Sequence, residues 1–310
     1  MTGGAHRQAA PERRYLIDDP AAERASAFAF VANGPDRWRL APVPSGLLRH
    51  YGGALVAQGL AAAQLTVDEA RPCHMLHAAF AQPGHVDHPL DFAVTRQSDG
   101  RSFSQRTVQI TQDGAPVLNL IASFHPPEAP DDGHQPAMPQ VPPPETLPSL
   151  AALVAAQGDA LPLRHWPFWR RAQQFDCRPV EPFSFGPPAT RDARRHFWLR
   201  FTGPLAPRPA EHQRWLAYIS DSHLLQTSLI PRGLAWTDDH LQTASLDHAI
   251  WFHAPARVDE WLLYALDSPR SAGSLGLAQG QLYRRDGVLA ATVMQQGLVR
   301  RLPAPRQGAI

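Results

Sequence analysis

Side chains able to transfer protons lie inside an otherwise apolar stretch, LQTASLDHAIWFH, at residues 241–253. Two hydroxyls, a carboxylate and two imidazoles are unusual in a buried strand. Either a half-exposed strand with alternating faces or the wall of an active site explains them. On an ideal strand, Ser245 and Asp247 share one face and His248 lies on the other. We therefore expect Asp247 either to support Ser245 or to pair with an Arg, with the first favoured, and His248 to be a hydrogen-bonded structural residue.

The same stretch does not favour a metal site. His248 and His253 are five residues apart, so on a strand they project to opposite faces. His85, Asp87 and His88 are typical of a polar turn, and Cys73 and Cys177 have no obvious activating neighbour. The sequence predicts no metal and no cofactor.

Composition narrows the class of function. All 29 basic residues are Arg, which excludes Lys Schiff bases and the phosphate-loop Lys. A net charge of +1 with scattered Arg predicts no nucleic-acid partner. No apolar run is long enough to predict a membrane span. Two cysteines and the absence of a signal-peptide pattern at the N-terminus predict a cytoplasmic protein.

A proline-rich segment divides the chain near its middle. Residues 126–148 contain nine prolines, which sustain neither a helix nor a central strand. We therefore predict an N-terminal domain over residues 1–125, an extended linker over 126–150 and a C-terminal domain over 151–310.

The two domains show signs of an internal repeat. Helical patterns at Tyr51–Leu65 and Arg214–Leu229 each precede strands that end in a hairpin. Four identities recur 172 residues apart, and the hairpin turns 173 apart: Phe80/Phe252, Pro83/Pro255, Val86/Val258, Asp87/Asp259, and Asp113-Gly114/Asp286-Gly287. A lone helix among antiparallel strands must be wrapped by the sheet. The predicted fold is α+β, a double hotdog with two repeats of a long helix wrapped by a curved antiparallel sheet. A parallel βαβ sheet is disfavoured because the strands come in runs.

An ordered set of motifs from His50 to Arg300 resembles the bacterial acyl-CoA thioesterase II enzymes, the TesB-like thioesterases. The motifs are HYGGALVAQGLAAA, DGRSFSQRTVQI, IASFHPPE, FDCRPVEP, LAYISD, LDHAIWFHAP, EWLLY and RRDGVLAATVMQQGLVR. The resemblance implies hydrolysis of fatty acyl-CoA to free acid and coenzyme A, without a metal or covalent intermediate. It also implies a homo-oligomer.

The resemblance also implies a catalytic trio that activates water. Its Asp matches Asp221 and its Gln matches Gln295, whereas Ser245 stands where the family has Thr. Serine keeps the hydroxyl but loses the methyl group that stiffens χ1. Other interpretations stay open: Asp221 as a helix N-cap or solvated residue, Ser245 as a small strand residue, and Gln295 as an outward strand residue or a bulge.

Gly52 and Gly53 begin the first predicted helix. They either allow tight packing or bind the substrate, with N–H groups at the positive helix end polarising the thioester carbonyl. Repeat offsets place Arg49, Cys73 and Ala122 opposite Asp221, Ser245 and Gln295, so the sequence predicts one active centre, in the second half.

Two rival functions remain at this point. An enoyl-CoA hydratase-type hotdog enzyme would need a His five residues after the Asp, where Gln226 stands. A catalytically weak acyl-CoA-binding protein is compatible with the Ser245 departure. A Ser nucleophile of the α/β-hydrolase kind lacks its G-x-S-x-G motif.

Overall fold

The computed structural model describes residues 24–42, 48–128, 132–157 and 174–304 of the 310-residue chain. No helix within those ranges combines the length and the apolar character needed to cross a lipid bilayer.

Antiparallel strands dominate the described part of the chain and form one sheet. The strands are β1 (Val31–Ala32), β2 (Arg37–Leu40), β3 (Cys73–Phe80), β4 (Leu90–Asp99), β5 (Ser104–Gln112), β6 (Ala115–Phe124), β7 (Phe175–Pro179), β8 (Arg195–Phe201), β9 (Leu241–Ser245), β10 (Asp247–Phe252), β11 (Leu262–Ala272), β12 (Leu275–Arg284) and β13 (Leu289–Arg301). Their order across the sheet is β1-β2-β4-β5-β6-β3-β10-β13-β12-β11-β8-β7, and β9 pairs with β13.

The strand order is the same in the two halves of the sheet when each is read from its outer edge. The halves meet where β3 pairs antiparallel with β10, with Leu76 opposite Ile250. Both hairpins predicted at Asp-Gly turns are present, joining β5 to β6 and β12 to β13. Asp113 and Gly114 both have positive φ, at 52° and 80°, as a two-residue hairpin turn requires.

Few helices accompany the sheet among the described residues. They are α1 (Gly52–Gln64), α2 (Leu150–Gln157), α3 (Pro209–Ser220) and α4 (Leu224–Thr227), with 3₁₀ turns at Pro144–Thr146 and Ile230–Arg232. The first predicted helix is confirmed within one residue at each end. Its Ala-rich sequence is buried along most of its length, where it packs on β4, β5 and β6 and against α3.

The second predicted helix, Arg214–Leu229, is wrong as a single helix. It begins earlier, because Pro209 suits the first position of a helix. It ends at Ser220, whose carbonyl oxygen accepts a hydrogen bond of 2.5 Å from the Tyr264 hydroxyl. His223 then adopts the left-handed conformation at φ 61°, and α4 starts as a separate helix. It packs on β11, β12 and β13, the strands that correspond to those under α1.

The proline-rich segment lies against the second half of the sheet, on the side away from the helices. Trp198 donates to the carbonyl oxygen of Pro142 at 2.9 Å, and Gln135 bonds both Gly287 and Leu289. Met138, Val141 and Leu147 pack on a small core that includes Trp198, Trp261, Leu263, Tyr283 and Leu289. The segment is thus extended but closely packed.

Candidate active site

Asp221 lies at the C-terminal end of α3, and its carboxylate reaches across to the other half of the chain. Oδ2 accepts a hydrogen bond of 2.8 Å from the Gly53 N–H, in the first turn of α1. Oδ1 accepts one of 2.5 Å from the Gln295 side-chain amide. Asp221 therefore caps the positive end of α1 rather than its own helix, which excludes the N-cap interpretation in its simple form.

Gln295 faces the interior from β13 and is fully buried, whereas Gln296 faces the opposite side. Besides Asp221, its Nε2 donates to the Ser245 hydroxyl at 3.1 Å. Its Oε1 is buried and has no hydrogen-bond partner among the described residues. A buried acceptor without a partner is unusual, and a polar ligand atom within reach would satisfy it.

Ser245 joins the site because of an irregularity after β9. It pairs with Gly297, whereas Ala249 on β10 pairs with Met294, so the register shifts by one residue between them. The expectation that Ser245 and Asp247 share a face is therefore wrong. Asp247 is exposed, and its carboxylate accepts the Gln296 N–H at 2.6 Å, which holds the irregular turn beside Gln295.

The two glycines of α1 have different surroundings. A Cβ added to Gly53 would lie 2.2 Å from the Tyr218 carbonyl oxygen, so this residue allows α1 and α3 to pack closely. Its N–H is bonded to Asp221 and is not open to a substrate carbonyl. A Cβ on Gly52 would lie 2.9 Å from Asp221 Oδ2 and 3.4 Å from Ser245 Oγ. Gly52 therefore borders Asp221 and Ser245 directly.

A buried hydrogen-bond network of Ser220, His248 and Tyr264 lies next to Asp221. The sequence did not predict that these three residues meet. Ser220 is fully buried, and its hydroxyl contacts His248 Nε2 at 2.9 Å and donates to the Ala217 carbonyl oxygen. Burial lowers the pKa of His248 and raises that of Tyr264 well above its usual range. His248 is thus a neutral structural residue, as expected. Ser220 and Tyr264 are 44 positions apart, so no local motif pairs them.

Other reactive groups of the described chain do not form competing sites. Burial raises the pKa of the Cys73 thiol to about 12 and that of Cys177 above its usual range, which disfavours a thiolate nucleophile. No group of three His, Cys, Asp or Glu side chains in the described ranges could hold a metal ion. The chemistry available at Asp221 is proton acceptance beside an amide and a hydroxyl.

Comparisons with known proteins agree with these features. Residues 182–298 match the family model "Acyl-CoA thioesterase", and residues 41–125 match "Acyl-CoA thioesterase N-terminal domain". Human acyl-coenzyme A thioesterase 8 is 37% identical over 262 residues, which covers 82% of each chain. Acyl-CoA thioesterase 2 of Haemophilus influenzae is 33% identical over 259 residues, 82% of this chain and 89% of that one.

Solved structures give the same result. The crystal structure of acyl-CoA thioesterase II TesB2 from Mycobacterium marinum has a TM-score of 0.74 at 33% identity, covering 90% of this chain and 98% of that one. A protein with a hot dog fold from Alicyclobacillus acidocaldarius has a TM-score of 0.73 at 22% identity, covering 91% and 98%, which concerns the fold alone. The chain has the hotdog fold and belongs to the TesB-like acyl-CoA thioesterases, a family of thioester hydrolases.

Proposed function

We propose that this protein hydrolyses fatty acyl-CoA to free fatty acid and coenzyme A, with water activated by Asp221, Ser245 and Gln295. One observation carries the proposal: three side chains from distant parts of the chain converge, with Gln295 bonded to both Asp221 and Ser245. Such a cluster of carboxylate, amide and hydroxyl can hold and deprotonate one water molecule. Membership in the thioesterase family supplies the substrate class.

In the proposed reaction, the water oxygen attacks the thioester carbonyl carbon while its proton passes to the Asp221 carboxylate. The tetrahedral intermediate then collapses, the C–S bond breaks, and the coenzyme A thiolate takes that proton from Asp221. The products are a carboxylic acid and a thiol, so atoms and charges balance without a covalent enzyme intermediate.

The neighbouring groups have positioning roles. The unpartnered Gln295 Oε1 can accept the water's second hydrogen atom, and the Ser245 hydroxyl can donate to the lone pair that does not attack, so both orient the water. Gly52 leaves room for the thioester beside the carboxylate, and the N-terminal end of α1 stabilises negative charge on its carbonyl oxygen. Because the Gly53 N–H is already bonded to Asp221, its contribution is to hold the base.

The test is a thiol-release assay with a panel of acyl-CoA esters. Asp221→Asn keeps the size of the side chain but removes the base, so kcat should fall by at least about a hundredfold. The matched control is Asp87→Asn, the same change at an exposed position. Unchanged turnover in Asp221→Asn contradicts the assigned base. If no acyl-CoA is hydrolysed by the wild type, an acyl-CoA-binding role replaces the proposal.

We further propose a double hotdog, with domains at residues 1–125 and 151–310 joined by the linker 126–150. The matching strand order of the two halves and the similar packing of α1 and α4 support it. The protein's action in the cytoplasm stays a prediction.

We also propose that the protein forms a homo-oligomer through the outer face at the centre of the sheet. The outward side chains there are mostly uncharged, as interfaces require at their centres: Asn119, Ile121, His77, Ala79, Ala249 and Trp251. Light scattering after size exclusion tests this, and a monomer at micromolar concentration contradicts it.

A further inference from the structure

A second hydrogen bond joins the two halves of the chain beside the proposed base. The Tyr51 hydroxyl lies 2.9 Å from the Ser222 hydroxyl, and either oxygen can be the donor. Tyr51 directly precedes α1, and Ser222 directly follows Asp221. This hydroxyl pair, Tyr51 and Ser222, therefore lies next to the bond between Gly53 and Asp221, and the proposed reaction makes no use of either hydroxyl.

The first turn of α1 depends on the other half of the chain for its cap. Tyr51 occupies the N-cap position with an extended backbone, at φ −68° and ψ 135°, and its side chain makes no capping bond. Capping residues are normally short and polar, such as Ser or Asp. Here the Gly53 N–H is bonded to the Asp221 carboxylate instead. Helix end and carboxylate therefore hold each other only while the two chain segments keep their relative position.

The backbone that carries Asp221 has already left its helix, since this residue is the C-cap of α3. The Ser222 N–H donates to the Ile219 carbonyl oxygen at 2.9 Å, and His223 then adopts the left-handed conformation. The last carbonyl groups of a helix lack partners within it, so the chain there is fixed by contacts with other elements. The bond from Ser222 to Tyr51 is such a contact.

The Tyr51 ring is held by packing, which presents its hydroxyl at a defined place. The ring makes an edge contact with Tyr218, with 5.1 Å between the ring centres. A Cβ added to Gly53 would lie 2.6 Å from Tyr51 Cε1, so the ring lies directly against the first turn of α1. Because packing already restricts the ring, little conformational entropy is lost when its hydroxyl bonds Ser222. Phenylalanine at this position would keep the packing and lose only the bond.

We infer that Tyr51 and Ser222 are positioning residues, which hold the Asp221 carboxylate against the N-terminal end of α1. The inference rests on the proposed function, in which Asp221 accepts the proton of water. Without the hydroxyl pair, the segment after α3 is free to shift relative to α1, and the base shifts with it. A displacement of about 1 Å in such a group can lower turnover by up to about a hundredfold. Neither hydroxyl contacts the substrate in this scheme, so KM should be preserved.

The test is a double-mutant cycle measured by steady-state thiol release. Tyr51→Phe and Ser222→Ala each remove one hydroxyl of the pair, so each should lower kcat roughly five- to twentyfold and change KM less than about twofold. The double variant should lose no more than either single variant. Tyr283→Phe is the matched control, because it removes a hydroxyl bond of the same length, 2.9 Å, to Gln281, and its kcat should equal that of the wild type.

A second cycle tests whether the hydroxyl pair acts through Asp221. In the Asp221→Asn background, Tyr51→Phe should lower the residual kcat by less than about twofold, because the base that it positions is gone. A loss as large as in the wild-type background contradicts the inference. So do additive losses in Tyr51→Phe and Ser222→Ala, or a wild-type kcat in either folded variant. If Tyr51→Phe does not fold, Ser222→Ala decides.

Hydrogen exchange of the Gly53 N–H separates this inference from the proposed function, because it needs no turnover. This N–H is bonded to Asp221, so its exchange, followed by NMR, should be at least about threefold faster in Tyr51→Phe and unchanged in Tyr283→Phe. Equal rates in the wild type and Tyr51→Phe overturn the positioning role. Absent thiol release in the wild type, or unchanged turnover in Asp221→Asn, contradicts the proposed function instead.

Discussion

The two halves of the sheet share a strand order, yet their interiors differ at corresponding places. In the first half, Leu76 on β3 pairs with Ala122 on β6, and both are buried apolar residues. The corresponding positions of the second half are His248 and Gln295, which are also buried but polar. At these two positions the same topology therefore supports apolar packing in one half and buried polar side chains in the other.

The first half nevertheless contributes to the site through its backbone. Its helix α1 presents the Gly53 N–H to Asp221, and Gly52 keeps side-chain atoms away from Asp221 and Ser245. One half thus supplies side chains and the other supplies a helix end. The site therefore needs both halves in one fold, and the first half needs no carboxylate of its own.

The helices packed on the two halves of the sheet differ as well. The uninterrupted α1 has thirteen residues, whereas α4, packed on the corresponding strands, has four. A 3₁₀ turn and Gly233, at φ 65°, follow α4 before the chain returns to the sheet. A cavity of about 590 Å³ lies beside this shorter helix.

The largest expected effect comes from making the second half resemble the first at Gln295. In Gln295→Ala the amide that joins Asp221 to Ser245 is lost, so kcat should fall by about a hundred- to a thousandfold. Steady-state thiol release measures it. The reciprocal change in the first half, Ala122→Gln, buries an unpaired amide and should reduce stability without a comparable loss of kcat. Similar losses of kcat in both variants would remove the functional distinction between the halves.

Stability should depend on pH because of one buried histidine of the first half, His50. Burial lowers the pKa of His50 from 6.5 to about 4, so the unfolded chain binds the proton first as pH falls. The contribution of the neutral His50 to the free energy of unfolding is fully present above pH 6.5. It is lost as the pH falls to 4, by roughly 3 kcal/mol. The free energy of unfolding, measured with urea at each pH, should therefore fall less steeply with decreasing pH in His50→Gln than in the wild type. The same change at exposed His134 should leave the slope unaltered, and equal slopes in all three proteins would contradict the assignment.

A smaller loss is expected when the helix end of the first half is blocked. In Gly52→Ala the new methyl group lies against Asp221 Oδ2, and kcat should fall about ten- to a hundredfold while the melting temperature changes little. Gly59→Ala is the control in the same helix, where the nearest atom is a flexible Leu120 methyl group at 3.1 Å. Full activity in Gly52→Ala would show that substrate and water do not need this space.

The smallest effect is expected at His248, when it is replaced by the leucine that the first half carries. His248→Leu removes one buried hydrogen bond to Ser220, worth about 1 kcal/mol, so kcat should fall by less than about tenfold. Rescue by His248→Gln, with kcat rather than KM recovering, would identify a positioning role. A loss as large as that of Asp221→Asn would instead require a direct part in catalysis.

Much of the fold follows from sequence periodicity, because its elements are local. The helix at Gly52–Gln64 and both Asp-Gly hairpins agree with the predictions. The helix break after Ser220 was missed, since Tyr264 holds it from 44 residues away. The register shift after Ser245 was missed for a similar reason, because it depends on pairing with β13.

The site shows the same division between local and distant causes. Motifs identified Asp221, Ser245 and Gln295, which the structure brings together. The partner of Asp221 in α1 is 168 residues away, and no pattern in the sequence indicates it. The cavity is equally hidden, because the segment SFGPPATRD at residues 184–192 has no helical or strand period.

The proline-rich segment has a consequence for assembly. By packing on Trp198, Tyr283 and Leu289, it covers these side chains on the outer face of the second half of the sheet. In the homo-oligomer that we propose, a second molecule would approach the outer face at the centre of the sheet, where His77 and Ile121 are exposed.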